Sequence, residues 1–134
     1  MQPELRAGST ARVQLVVGPA DTAEAMGSGS VSVLATPRLI ALCEEASCRA
    51  LDDQLAPGYT SVATRIQFDH LAPAGVGCEV WAEATLVKVE GRRLTFTVSA
   101  SLHSADHEGL LGAGRLTRVL VDQETFMAKA GGSR

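Results

Sequence analysis

The sequence predicts an α+β fold, one helix packed against a five-stranded antiparallel sheet, on three features. One strongly amphipathic helical stretch begins at Thr36-Pro37 and fades near Gln54. A short strand-like run precedes it, and four long apolar-rich runs follow it. Turn-forming residues separate these runs, with no second helical pattern between them. The 134 residues contain no internal repeat and no linker, so they read as one domain spanning 1–134. A chain of that length buries roughly two thirds of its unfolded surface.

Arg12 to Val17 reads as the first strand, closed by Gly18-Pro19. Residues 20–35 are mixed. Ala23 to Met26 is compatible with one helical turn, which the Gly-Ser-Gly-Ser run at 27–30 ends. A stretch of this kind is expected to be a mobile covering segment. Thr36 then offers an N-cap oxygen ahead of a proline at the first helical position. Leu39, Leu42, Cys43, Ala46, Ala50 and Leu51 recur at three- and four-residue spacings and form an apolar stripe. Pro57-Gly58 stops the helix, whose expected length is about 27 Å.

The remainder reads as sheet. Tyr59 to His70 is a strand, and Leu-Ala-Pro-Ala-Gly-Val-Gly at 71–77 is a turn. Cys78 to Glu90 follows, with a tight hairpin at Gly91. Arg93 to His103 alternates cleanly, placing Leu94, Phe96, Val98, Ala100 and Leu102 on one face and Thr95, Thr97, Ser99 and Ser101 on the other. Ser-Ala-Asp-His-Glu-Gly turns the chain again, and Leu110 to Val121 closes the sheet. One helix covers only part of a sheet face this broad. A long bare edge is a hazard unless paired, so a second copy of the chain is the expected partner. A central helix wrapped by an antiparallel sheet and dimerised edge to edge is the hotdog fold.

Composition excludes several classes. The net charge is −3 and the pI about 5.6, which leaves no basic footprint for nucleic acid or an anionic membrane. The longest uncharged stretch, between Glu24 and Arg38, is rich in Gly and Ser and too short to span a bilayer. The start lacks a basic-then-apolar leader, so a cytoplasmic protein is expected. The three cysteines, Cys43, Cys48 and Cys78, are odd in number and without CxxC spacing, arguing for small buried hydrophobes over disulfides or zinc. With five aromatic residues, a base-stacking RNA sheet is not expected. Neither a glycine-rich phosphate loop nor a G-x-S-x-G elbow is present.

The candidate chemistry is polar and sparse. Glu44 lies on the second helical turn among Ile40, Ala41, Ser47 and Cys48, a small and largely apolar neighbourhood. Desolvation there raises a carboxylate pKa and makes a better general base; the plain alternative is a solvated glutamate like Glu45. His70 ends a strand and faces a pocket or water. His103 and His107 flank a turn and are expected in solvent. Thr36 has a structural task as the helix cap, but a helix N-terminus also presents free N–H groups to a forming oxyanion. Arg115 and Arg118, three apart on the last strand, point to opposite faces. One of them faces the helix side or a partner, as an ordinary salt bridge or an anion contact.

Taken together, Thr36, Glu44 eight residues on and His70 twenty-six further resemble the active-site spacing of the fluoroacetyl-CoA thioesterase family of hotdog proteins. Cys48-Arg49-Ala50, Val89-Glu90-Gly91-Arg92-Arg93-Leu94 and Phe126-x-Ala128-Lys129 match as well, so the likeness runs from about residue 5 to 130. The resemblance implies a triad-like set of Thr36, Glu44 and His70 that hydrolyses an acyl-CoA thioester. It implies that Arg118, in Gly112-x-Gly114-x-x-x-Arg118, lies near the acyl pocket, and that Ala63 stands where a pocket-lining glycine is expected. Residues 19–35 depart from the family pattern, being shorter and without the phenylalanine-bearing lid. These departures point to a general acyl-CoA thioesterase rather than one selective for fluoroacetyl groups.

The residues suit that reaction. A coenzyme A thiolate resembles a cysteine thiol with a pKa of about 8.5 and leaves without strong acid assistance. The demanding step is attack on the carbonyl by Thr36 or a water, or by Glu44 itself to give an acyl-glutamate. No cofactor is implied; coenzyme A enters only as part of the substrate. On a straight helix Thr36 and Glu44 stand about 12 Å apart, so His70, a partner subunit or a bent cap has to bridge them. A non-catalytic hotdog module binding acyl-CoA or another small ligand is the reading from a different class. A hydratase of the same fold lacks support, since the helix carries no histidine.

Overall fold

The computed structural model describes residues 2–103 and 108–132. The chain runs through β1 (Thr10–Val16), a 3-10 turn (Pro19–Asp21), the single-turn helix α1 (Ala23–Met26) and the long helix α2 (Thr36–Leu51). It continues through β2 (Tyr59–His70), β3 (Glu79–Glu90), β4 (Arg93–His103) and β5 (Glu108–Asp122) to a terminal helix α3 (Gln123–Ala130). The five strands form one antiparallel sheet in the order β1-β3-β4-β5-β2. This is the expected hotdog architecture, with α2 laid against one face of the sheet.

The core follows from strand alternation meeting the helical stripe. Leu94, Phe96, Val98 and Ala100 of β4 and Val80, Ala82, Ala84 and Leu86 of β3 are buried. They pack with Leu39, Leu42, Cys43, Ala46, Ala50 and Leu51 of α2 in one cluster. Alanines at 82 and 84 give the helix room to settle on β3. Burial pushes the Cys43 thiol up to about 12, with the Glu44 carboxylate beside it adding to the rise. Such a thiol stays protonated and behaves as a core hydrophobe. Cys48 and Cys78 are half-buried, and all three cysteines are unbridged.

Two helical expectations need correction. Thr36 is not the N-cap of α2: Ala35 is, with extended φ −69° and ψ 140°, and no side chain caps the helix. Helix formation starts one residue earlier than the proline rule implies, because Pro37 fits the second helical position as well as the first. Leu39 N–H donates to Ala35 O at 3.0 Å, and the Thr36 hydroxyl turns elsewhere. The second correction is α3, which the sequence reading did not foresee. Its signal was present: the Asp122 carboxylate accepts from Thr125 N–H at 3.0 Å, and Gly131 and Gly132, both at positive φ, end it.

β2 is an edge strand of 12 residues. Residues 64–67 are exposed, and α2 packs mainly on β1, β3 and β4. The segment before α2 has more internal structure than a loose cover. Thr22 bridges Leu34, and Val33 bridges Gly75. His103 is exposed at the end of β4; the expectation for His107 lies outside the described residues. No helix is long and apolar enough to cross a membrane, among the described residues.

Candidate functional site

β2 is held to β5 by two missing side chains. Gly112 pairs with His70 and Gly114 with Phe68. A Cβ on Gly112 meets the Phe68 ring at 2.6 Å and the Asp69 carbonyl at 2.8 Å; one on Gly114 overlaps the Gln67 carbonyl oxygen. Glycine at both positions therefore lets the Phe68 ring lie across β5 and sets the end of β2 where it is. His70, the last residue of that strand, comes to the first turn of α2. Its Nδ1 lies 2.7 Å from Thr36 Oγ1, a hydrogen bond between residues 34 apart in sequence. Its Nε2 is buried and has no hydrogen-bond partner among the described residues.

The start of α2 is fixed from the other side. Arg38 Nε donates to Asp21 Oδ1 at 3.0 Å, and Gly18 N–H donates to Asp21 Oδ2 at 2.8 Å. Ala35 N–H donates to Asp21 O at 2.9 Å, and Leu34 N–H to Ala74 O at 2.7 Å. The covering segment is thereby laced to both α2 and the 71–77 turn. Around Thr36 and His70 these elements enclose an open cleft of about 340 Å³. The first turn of α2, which reaches the cleft through Thr36, lacks a side-chain cap, and Pro37 has no N–H to offer, so the amides of Thr36 and Arg38 are the donors at that end of the helix.

The structure thus brings together two of the three residues expected to act as a set. Glu44 is not with them. α2 is continuous from Thr36 to Leu51, so the cap does not bend away, and Glu44 stays about 12 Å down the axis. It is half-buried, outside the cleft lined by Thr36 and His70. Thr36, Ile40, Glu44 and Cys48, each four residues from the last, form one ridge along the flank of α2.

Ala63 and Arg118 are also together, but elsewhere. They are direct partners across β2 and β5, seven residues from His70, or about 23 Å of strand. Neither lines the Thr36–His70 cleft of its own chain. Arg118 is buried, 7% exposed, and donates from Nε to Ser61 Oγ at 2.7 Å and from Nη2 to Ser61 O at 2.8 Å. It has no carboxylate at ion-pair distance among the described residues. Arg115 is exposed, so the two arginines take opposite faces as their spacing implies. Sequence reasoning missed Ser61, the Asp21–Arg38 pair and the apolar cleft walls. Only the last had a visible signal, the valines at 31 and 33.

Comparison with known proteins identifies the family and the fold. The family model of fluoroacetyl-CoA-specific thioesterases, FlK, matches residues 17–124. A fluoroacetyl-CoA thioesterase of Streptantibioticus cattleyicolor is 38% identical over 99 residues, covering 72% of this chain and 67% of that protein. A crystal structure of the fluoroacetyl-CoA thioesterase FlK superposes with a TM-score of 0.83 at 33% identity, covering 96% of both chains. A Thermus thermophilus hypothetical protein, a thioesterase superfamily member, superposes with a TM-score of 0.85 at 27% identity, covering 97% of this chain and 93% of that one. The hydroxyl–imidazole pair at the head of the central helix therefore sits in a chain that belongs to the fluoroacetyl-CoA-specific thioesterase family.

Proposed function

We propose that the protein is an acyl-CoA thioesterase, releasing a carboxylate and coenzyme A, with Thr36 and His70 at the reacting carbonyl. The observation that carries this reading is the 2.7 Å contact between Thr36 Oγ1 and His70 Nδ1 at the open end of α2. An imidazole nitrogen at that distance is within reach to take the proton of the hydroxyl, or of a water the hydroxyl holds. Charge developing on the thioester oxygen is met by the free amides and positive dipole end of α2. The thiolate then departs unaided, its pKa being about 8.5; with water as nucleophile this frees the carboxylate directly, and with the Thr36 oxygen as nucleophile a water deprotonated by His70 then hydrolyses the acyl-threonine ester. A hydroxyl, an imidazole and a carboxylate are sufficient for thioester hydrolysis, so the reading assigns no prosthetic group.

Glu44 enters this scheme through a second copy. The β2 edge presents unpaired backbone groups along the exposed run 64–67, and a two-fold dimer uses one patch on both subunits. An antiparallel pairing with its dyad between Ile66 and Gln67 sets Ala63 of one strand opposite His70 of the other. That register carries the Ala63–Arg118 pair of each subunit toward the Thr36–His70 end of its neighbour, where the family resemblance places the acyl pocket. It also runs the two α2 helices antiparallel, bringing the mid-helix carboxylate of one toward the first turn of the other. The reading places one hotdog domain over residues 1–134 in a cytoplasmic homodimer acting where coenzyme A thioesters are made.

Thiol release from propionyl-CoA tests the assignment. His70→Ala is expected to lose on the order of 10²–10⁴-fold in kcat, the contribution typical of a positioned general base. Thr36→Val is expected to fall comparably, while Thr36→Ser keeps the hydroxyl and most of the rate. If all three match the parent, the site is misassigned. Thermal stabilisation by coenzyme A esters with no thiol released points instead to a binding module.

A further inference from the structure

Resting on the homodimeric thioesterase reading, a further inference concerns the terminal helix. α3 runs over eight residues and buries none of them. A helix that short is not stable in water without something to pack on, and its own chain holds it mainly at the root. Gln123 N–H donates to Gly58 O at 2.9 Å, and the Asp122 carboxylate accepts from Thr125 N–H. A groove of about 600 Å³ separates α3 from Gly58, so beyond its root the helix stands clear of the domain. It carries Phe126, 38% exposed, whereas Tyr59, Phe68, Trp81 and Phe96 are all buried or half-buried. A second large apolar side chain is bare at the other end of β2. Leu71, the residue after His70, is 61% exposed, and its N–H donates to Leu111 O.

Within one chain these two side chains cannot meet. α3 springs from Asp122, which pairs with Tyr59 at the start of β2, while Leu71 lies past the finish of that strand, roughly 40 Å away. A two-fold axis brings them together twice. In the dimer proposed above, with its dyad between Ile66 and Gln67, Leu71 of the partner subunit falls opposite Val62. Asp122 is then about 10 Å from it along the strands and about 10 Å across them, a gap that one turn of α3 and the two side chains span. Backbone pairing of two edge strands supplies no aromatic anchor, and stable interfaces are held by such anchors in desolvated pockets. We propose that α3 docks in trans on a second copy of this chain, with Phe126 packed on the partner's Leu71. Each terminal helix then fixes the strand end that carries the other subunit's His70, which makes Phe126 a positioning residue.

The test is cross-linking between copies. Phe126→Cys and Leu71→Cys, combined in one chain and treated with a short bis-maleimide, should give a covalent dimer on denaturing gels. Each single variant controls for the native Cys43, Cys48 and Cys78, and the double variant should exceed both by roughly fivefold or more. Phe126→Ala should raise the dimer dissociation constant by on the order of tenfold, as loss of an interfacial aromatic does. At concentrations where light scattering still shows a dimer, it should lower kcat for propionyl-CoA several-fold with KM little changed, and Phe126→Leu should recover most of the loss. Ala128→Gln, on the opposite face of α3, should match the parent. A dimeric parent whose double variant cross-links no better than the singles overturns the docking while leaving the dimer standing. Phe126→Ala dimers with the parental kcat overturn the positioning role. A monomeric parent overturns the homodimer reading, and this inference with it. Absence of thiol release from every ester overturns the thioesterase reading and the positioning role, and the cross-link still decides the docking.

Discussion

Replacing Gly114 by alanine tests the link between strand packing and the site. Gly114 pairs with Phe68, two residues before His70. A Cβ there overlaps the Gln67 carbonyl oxygen and lies 2.8 Å from the Phe68 Cα. Ordinary carbon contacts sit at about 3.5–4.0 Å, and both obstacles are backbone, so no rotamer change relieves them. β2 has to move outward by roughly 1 Å. Overpacking of this kind costs about 1–3 kcal/mol, which for a domain of this size lowers Tm by roughly 3–10 °C. The larger effect falls on the reaction. A shift carried to the end of β2 takes the Thr36–His70 contact from 2.7 Å beyond hydrogen-bond range, and misplacement by about 1 Å costs on the order of 10²-fold in rate. Thermal melts by circular dichroism, paired with propionyl-CoA hydrolysis below Tm, read both effects. A Gly114→Ala protein that melts within about 1 °C of the parent and turns over at the parental rate refutes this account of how β2 is placed.

Three other expectations follow from the same structure. Ser61→Ala removes the side-chain acceptor of the buried Arg118 and should destabilise by about 1.5–3 kcal/mol in denaturant titration, whereas Thr97→Ala on the exposed face should stay within about 0.5 kcal/mol. Ile66→Lys places like charges on both sides of the proposed dyad, so light scattering should shift from twice the chain mass toward the 14.0 kDa monomer; a parent protein that is itself a lone monomer removes the interface argument. The Asp122 carboxyl is held below its ordinary value of 3.8, first by the backbone N–H of Thr125 and then by that residue's hydroxyl. A carboxylate with a lowered folded pKa contributes stability above its unfolded pKa and loses it as pH falls through the folded value. The amides of α3 should therefore lose exchange protection below about pH 4, and Asp122→Asn should flatten that dependence.

Much of the fold was readable because its elements obey one period at a time. The alternation from Arg93 to His103 is an uninterrupted period of two, and both ends of that strand are where the pattern puts them. The helical stripe likewise named six residues that are all buried. The terminal helix escaped notice for the opposite reason. α3 buries nothing, so it carries no stripe, and only its caps mark it. The strand order was not readable, since β2 follows α2 directly yet pairs with β5, the last strand. That choice rests on the fit of Phe68 over two glycines more than forty residues away, a shape match that no local pattern encodes.

The site divides along the same line. The candidate residues were picked out by their spacing, but whether any of them meet depended on register. His70 meets Thr36 because β2 runs back along α2 and ends at its first turn, and because Gly112 and Gly114 hold the strand there. Glu44 remains apart for a reason equally fixed in advance: eight residues of unbroken helix separate any two side chains by about 12 Å. The same ridge that carries Thr36 also carries Glu44, so one chain cannot turn both toward a single carbonyl. The proposed two-fold axis reverses the helix of the second subunit and carries its Glu44 toward this end. The exposed run 64–67 in the middle of β2 is where such an axis costs least, with unpaired backbone on both sides and no core to disturb. In the proposed dimer, the edge strand, the glycine pair and the distance of Glu44 from Thr36 and His70 follow from one arrangement, a sheet edge open to a second copy.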